Sequence, residues 1–205
     1  MDTERFDEAA AWSRAREGDS ASFASLFDRH RDRVFGQALR LLGARHDAED
    51  VTAVVFLEAW RRRDAVRMVD GSIIAWLLVT TNYTVRNHTR SSRRYRNALS
   101  KLSQPAPQPD STPDVDDALD NRGRDAAVRS AFAGLPPRDQ DVITLCILEE
   151  MPLADVAATL RVPIGTVKSR LSRAKRRLGD LTLAGLDPAA TEIAAGRPAL
   201  EGGAE

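Results

Sequence analysis

Between Ser103 and Asn121 the chain carries four prolines (105, 107, 109, 113), five aspartates (110, 114, 116, 117, 120) and no basic residue. Proline fixes φ and has no N–H to donate, and neighbouring like charges repel. Such a stretch has too little apolar surface to offset the entropy of ordering it, so it reads as an extended acidic linker. It divides the 205 residues into two parts, and each must build its own core. Apolar side chains recur at helical spacing in both parts and strand patterns are scarce. The expectation is an all-α chain of two small helical domains joined by an acidic, proline-containing linker. The boundaries expected are 1–100, a linker over 101–121, a second domain over 122–179 and an Ala/Gly-rich disordered tail over 180–205.

The second domain holds the most specific local pattern. In Arg161–Leu178 (RVPIGTVKSRLSRAKRRL), Ile164, Val167, Leu171, Ala174 and Leu178 form one apolar stripe of a helix. Ser169, Arg173 and Arg176 centre the opposite face, Thr166 and Ser172 lie beside them, and Lys168, Arg170, Lys175 and Arg177 flank the stripe. Pro163 suits the first helical turn, where a missing N–H costs nothing. A short amphipathic segment, Pro152–Leu160, precedes it. Helix, tight turn and basic helix predict a helix-turn-helix whose second helix enters a DNA major groove. The duplex-binding candidates are Thr166, Lys168, Ser169, Arg170, Ser172, Arg173, Arg176 and Arg177. The bland alternative is a basic surface helix with a solvated face.

The first domain opens with a short helix over residues 1–18, and Gly18-Asp19-Ser20 offers N-cap candidates for a long helix to about Leu42, closed by Gly43. His30 lies on that helix's apolar side and reads as a satisfied, half-buried histidine; His46 and His88 have no metal-ligand spacing to it. Asp47 to about Arg63 is apolar nearly all round. Ala48, Val51, Val55 and Ala59 share one side, Phe56 and Trp60 lie almost opposite, and Val54 and Leu57 fall between. Such a helix is either a central core element or one that also meets a protein partner. Ser72 is a plausible N-cap for Ile73 to about Ala98, which starts apolar and turns basic. From Gly71 to Arg96 there are five arginines and no acid, interleaved with Trp76, Tyr83, His88 and Tyr95. Flat rings stack on unpaired bases while arginines neutralise phosphates, so Trp76, Tyr83, Arg86, Arg90, Arg93 and Arg94 are single-strand candidates. For Trp76 the alternative is plain core packing.

Acidic and basic residues balance at 30 each, so net charge alone points to no partner. The single cysteine, Cys146, sits in an apolar run and reads as a small buried hydrophobe. The N-terminus lacks an apolar signal core and no run approaches membrane-spanning length, which predicts a soluble cytoplasmic protein. No phosphate-binding loop or nucleophile elbow is present, and the acid pairs Asp116-Asp117 and Glu149-Glu150 form no pocket pattern. No catalytic residue, cofactor or metal is expected; the chain does not read as an enzyme.

Two stretches carry a family likeness. Ala38–Trp60 (ALRLLGARHDAEDVTAVVFLEAW), with Ala75-Trp76-Leu77-Leu78 and Asn82, resembles region 2 of bacterial sigma factors. Leu135–Leu178, above all IGTVKSRLSRAKRRL, resembles region 4. With only a linker between them, the chain resembles the extracytoplasmic-function (ECF) subgroup of the sigma-70 family, which retains just these two domains. The resemblance implies a subunit that binds core RNA polymerase and directs promoter-specific initiation. Region 2 would dock on the clamp helices of the large catalytic subunit, through Asp50, Val54, Phe56, Leu57 and Trp60, and would melt the minus-ten element. Region 4 would read the minus-thirty-five duplex. Asn82 matches a base-selecting position of the family, and Lys168, Ser169, Ser172 and Arg173 match its duplex-reading positions. The implied partners are core polymerase and promoter DNA, with an anti-sigma protein left open. The chain departs from the pattern at Ala53-Val54, where relatives carry an acid. The alternatives are a helix-turn-helix regulator that is not a polymerase subunit, and a helical interaction protein whose basic faces bind acidic partners.

Overall fold

The computed structural model describes residues 6–102 and 119–186. Those residues form α1 (Glu8–Arg16), α2 (Ser20–Leu42), α3 (Arg45–Arg61), α4 (Ile74–Leu102), α5 (Leu119–Ala133), α6 (Pro137–Ile143) with a π-helical turn over Thr144–Leu148, α7 (Leu153–Leu160) and α8 (Ile164–Leu186). No strand occurs among them.

Local chemistry explains most of the boundaries. Asp7 and Asp19 cap α1 and α2, each accepting from backbone N–H groups of the first turn, and Gly43 closes α2 with φ +70°. Ser72 accepts from the Ile74 N–H and opens α4. Pro136 and Pro137 start α6. This helix changes character along its length. Past Ile143 the bonding widens to five residues, as in the Glu149 N–H to Thr144 carbonyl bond of 3.1 Å.

α2 is the spine of the first domain and touches α1, α3 and α4. Leu26 and Val34 of α2, Val51 and Val55 of α3, and Leu77 and Leu78 of α4 are fully buried together. At about 1.5–3 kcal/mol for each such side chain, they dominate the domain's stability. One buried carboxylate ties the helices at their ends. Glu8 accepts from His30 Nε2 (2.8 Å), Ser72 Oγ (2.9 Å) and the Ile73 N–H (2.8 Å), joining α1 to α2 and to the start of α4. Burial raises its pKa, but the bonds and charge of His30, the Ile73 N–H and Ser72 outweigh that and pull it down to about 2. His30 is buried rather than half-buried, and its Nδ1 has no partner.

In the second domain α8 packs on α5, α6 and α7. Its own small core is Phe132, Leu135, Ile143 and Ala174, against which Leu41 of α2 also packs. α8 does not stop near Gly179 but continues to Leu186, where a disordered tail was expected. The reason is a close approach: a Cβ on Gly185 would lie 3.4 Å from the Ala127 Cβ of α5, so small residues let the two helices touch. The expected linker is trimmed from both sides, because α4 runs to Leu102 and α5 starts at Leu119. Asp110, Asp114, Asp116 and Asp117 lie outside the described residues. Cys146 is partly exposed, not buried.

Candidate nucleic-acid and polymerase interfaces

The helix-turn-helix is α7, the turn Arg161-Val162-Pro163, and α8. Arg161 ends α7 in the left-handed region with φ +55°, and its N–H reaches the Ala157 carbonyl. On α8, Val167 and Ala174 are buried, while Lys168, Ser169, Ser172, Arg173, Arg176 and Arg177 are exposed and Thr166 and Arg170 half-exposed. The apolar stripe therefore fixes the helix and turns the basic face outward. Without DNA, Ser169 Oγ donates to the Thr166 carbonyl (3.1 Å) and Arg173 Nε donates to the Ser169 carbonyl (3.3 Å). Arg177 is engaged within its own domain, pairing with Asp139 at 2.8 Å. It holds α8 to α6 as well as facing solvent.

The single-strand candidates divide between two faces of α4. Trp76, Tyr83 and Arg86 line a groove of about 770 Å³ between α3 and α4, whose other wall includes Asp50, Val54 and Glu58. Tyr83 is 59% exposed, and the Arg86 guanidinium lies over its ring, with Cζ 5.9 Å from the ring centre. Arg90, Arg93 and Arg94 are exposed further along the helix. Asn82 points elsewhere and is 0% exposed. Its Oδ1 accepts from Gln37 Nε2 of α2 (2.7 Å), and its Nδ2 donates to Asp141 Oδ1 of α6 (2.9 Å) and to Thr144 Oγ1 (3.3 Å). Gln37 Nε2 also donates to Thr144 Oγ1 (3.0 Å). Arg86 spans both faces, since it reaches Gln140 (3.4 Å) and lies 3.9 Å from Asp141. Burial pushes the Asp141 carboxyl above its ordinary value, against the opposing effects of Asn82, Arg86 and Arg170.

The polymerase-binding set on α3 requires a correction. Ala48, Val51, Val55 and Ala59 are buried as their spacing predicts. Phe56, expected as an exposed knob, is only 3% exposed. Its ring packs edge-on against Phe27 (4.7 Å between centres) and Phe23 (6.4 Å). Trp60 is partly covered, 5.0 Å from Phe23, with the Arg63 guanidinium over its ring. The helical wheel places Phe56 opposite the core stripe correctly, but α2 presents two phenylalanines there and covers it. The open apolar residues of α3 are Val54 (44% exposed) and Leu57 (53%), next to Asp50. The sequence reading missed Glu8, Gln37 and Thr144. Gln37 sits among the apolar residues of α2, a polar residue inside a helix stripe, and that was the available signal.

A helical bundle with an aromatic groove beside an arginine-rich helix, joined to a helix-turn-helix that turns a serine-arginine face outward, defines a two-domain DNA-binding protein of transcription. Comparisons make the assignment specific. Residues 26–95 match sigma-70 region 2, and residues 125–178 match sigma-70 region 4. Over 167 residues the chain is 33% identical to the ECF RNA polymerase sigma factor SigE of Mycolicibacterium smegmatis, covering 80% of this chain and 63% of that protein. It is 32% identical to the ECF RNA polymerase sigma factor SigL of Mycobacterium tuberculosis, covering 81% of this chain and 92% of that protein. Among solved structures, CnrH in complex with the cytosolic domain of CnrY shares the fold, with a TM-score of 0.57 at 23% identity over 87% of this chain and 99% of that one. The chain belongs to the ECF RNA polymerase sigma factors of the sigma-70 family, non-catalytic polymerase subunits that direct transcription initiation.

Proposed function

We propose that the two regions read a promoter in two physical forms. Region 4 reads the minus-thirty-five element as a duplex through Lys168, Ser169, Ser172 and Arg173, with Thr166, Arg170, Arg176 and Arg177 along its phosphates. The observation that carries this reading is the outward serine-arginine face of α8, held in place by the buried Val167 and Ala174. Short hydroxyls leave room for close approach, and a guanidinium reads guanine bidentately. Region 2 reads the minus-ten element after melting. Trp76 and Tyr83 offer rings to unstacked bases, Arg86, Arg90, Arg93 and Arg94 neutralise the strand, and Asn82 selects a base by its amide. Extruding a base costs a few kcal/mol, which such a pocket offsets.

Polymerase binds α3 through Asp50, Val54 and Leu57, with Trp60 at the edge and Phe56 supporting them from beneath. Val54 stands where relatives carry an acid, so this interface is more apolar than the family pattern. Activity in the cytoplasm belongs to the same reading. No helix among the described residues is long and apolar enough to cross a membrane. The test is reconstitution: the full chain is added to core polymerase on a library of promoter fragments. Initiation that depends on the chain and recurs at fragments sharing two spaced elements is expected. A chain that binds DNA but never changes where the polymerase starts is a separate regulator.

A further inference from the structure

The apolar stripe that seats α8 has one member left uncovered. Val167 and Ala174 are fully buried, and Leu171 and Leu178 are half-buried, but Ile164 is 46% exposed. A branched aliphatic side chain of that size is ordinarily packed away. Ile164 is also the first residue of α8, and the N-terminal residues of a recognition helix are the ones that reach base edges. It is held in place there. The Thr166 and Val167 N–H groups donate to the Pro163 carbonyl (2.8 and 3.2 Å), which closes the first turn around it. The approach to it is clear. A Cβ built on Gly165 would meet nothing within 4 Å, and Arg161 and Pro163 in the preceding turn are exposed. One turn further on, Lys168 and Ser169 face solvent.

The charges around Ile164 say what covers it. From Arg161 to Leu178 there are seven basic residues and no acid, and the next carboxylate along the chain is Asp180. An aliphatic side chain set in such a field fits a polyanion that carries apolar points. The DNA major groove has one such point, the C5-methyl of thymine, between its rows of phosphates. We propose that Ile164 is a specificity-determining residue of region 4 and packs on the 5-methyl of a thymine, beside the bases reached by Lys168 and Ser169. The proposal rests on region 4 reading a duplex, and it adds a different kind of contact. Hydroxyl, ammonium and guanidinium groups read hydrogen-bonding atoms, whereas Ile164 reads a methyl group by removing it from water. Cytosine has no methyl at that place, so the contact separates the two pyrimidines.

The test compares thymine with uracil, which lacks only the 5-methyl. Holoenzyme is assembled from the full chain and core polymerase, and its preferred duplex is selected from fragments randomised over the upstream element. Each thymine of that duplex is then replaced in turn by uracil, and duplex capture is measured. The native chain should bind about fourfold more weakly when the methyl is removed at one particular thymine. Ile164→Ala should lose about as much on the thymine duplex and nothing further when that thymine becomes uracil. Ile164→Val should keep most of the preference for the methyl. Each thymine-to-uracil ratio is taken within one protein, so any change in stability cancels. The proposal is overturned if Ile164→Ala keeps the native ratio at every thymine, or if the native chain is indifferent to the methyl throughout. Arg173→Ala separates this idea from the reading beneath it. If Arg173→Ala relaxes the duplex preference while Ile164→Ala leaves every methyl ratio unchanged, Ile164 is removed and duplex reading stands. A holoenzyme that captures all duplexes alike ends both.

Discussion

Asn82 and Arg173, the residues proposed to read bases in region 2 and region 4, differ sharply: the first is fully buried and the second exposed. Their chemistry explains the difference. An amide is neutral, and when each donor and acceptor finds a partner it enters an interface at little net cost. A guanidinium brought into the same place would forfeit its hydration and need a carboxylate of its own. Arg177 shows this, since its guanidinium lies against α6 of its own domain with the Asp139 carboxylate as partner. A surface that reads unpaired bases by amides and rings is therefore easily covered by another part of the chain. A surface that reads a duplex by arginine resists being covered.

If region 2 is the platform and region 4 its guest, damage to the platform has the largest effect. Phe56→Ala removes a ring from the cluster of Phe23, Phe27 and Trp60 and should cost about 3–5 kcal/mol. Region 4 should come free in the same unfolding transition, measured by denaturant melts of the full chain. Leu57→Ala should leave stability within about 0.5 kcal/mol and weaken polymerase binding instead. Equal stability losses from the two would return α3 to a purely structural helix.

Two carboxylates sharpen the contrast through pH. Glu8 is held at about 2 against an ordinary 4.5. Its stabilisation of region 2 is therefore fully present above the ordinary value and is lost as pH falls through about 2. Asp141, facing Asn82, Arg86 and Arg170, is raised above its ordinary 3.8. Its ionisation opposes docking, so its favourable contribution is full below 3.8 and is lost as pH rises through the raised value. Mild acid should thus compact the chain before stronger acid unfolds region 2, as followed by scattering and circular dichroism. Asp141→Asn should flatten the first step and spare the second. Glu8→Ala should cost about 2 kcal/mol, because it strands the Ile73 N–H and the buried His30.

Within region 4, Arg173→Ala should lose about 1–3 kcal/mol of duplex affinity and relax the preference at one base pair. Arg177→Ala should weaken all sequences alike, reduce the salt slope by about one and lower the melting temperature, because the Asp139 pair is lost too. Sequence-independent losses from both would remove base readout by Arg173. The smallest effect is expected at Arg161→Gly, where relief of the left-handed backbone should add up to about 1 kcal/mol of thermal stability without altering DNA binding.

Helix periods and caps made most of this architecture legible: Asp19, Gly43, Ser72 and Pro137 mark real boundaries. The α8 stripe likewise separates the covered residues Val167, Leu171, Ala174 and Leu178 from the outward basic face, although Ile164 at its start is 46% exposed. What escaped depends on contacts between elements far apart in the chain. Phe56 looks available until α2 brings Phe23 and Phe27 over it. Asn82 looks like a surface amide until α6 and the π-helical turn dock on it. The continuation of α8 past Gly179 needs the close approach of Gly185 to Ala127, which no single helix pattern encodes.

Whether the two regions read different forms of DNA through different residues, as proposed, is decided by one comparison. Holoenzymes carrying Asn82→Ala or Arg173→Ala are assembled with core polymerase and followed on one promoter by duplex capture and by a fluorescent base analogue that reports strand opening. Asn82→Ala should assemble and capture the duplex normally but open it slowly or not at all. Arg173→Ala should capture poorly and, once bound, open at the normal rate. Normal opening by the Asn82→Ala holoenzyme would contradict the account.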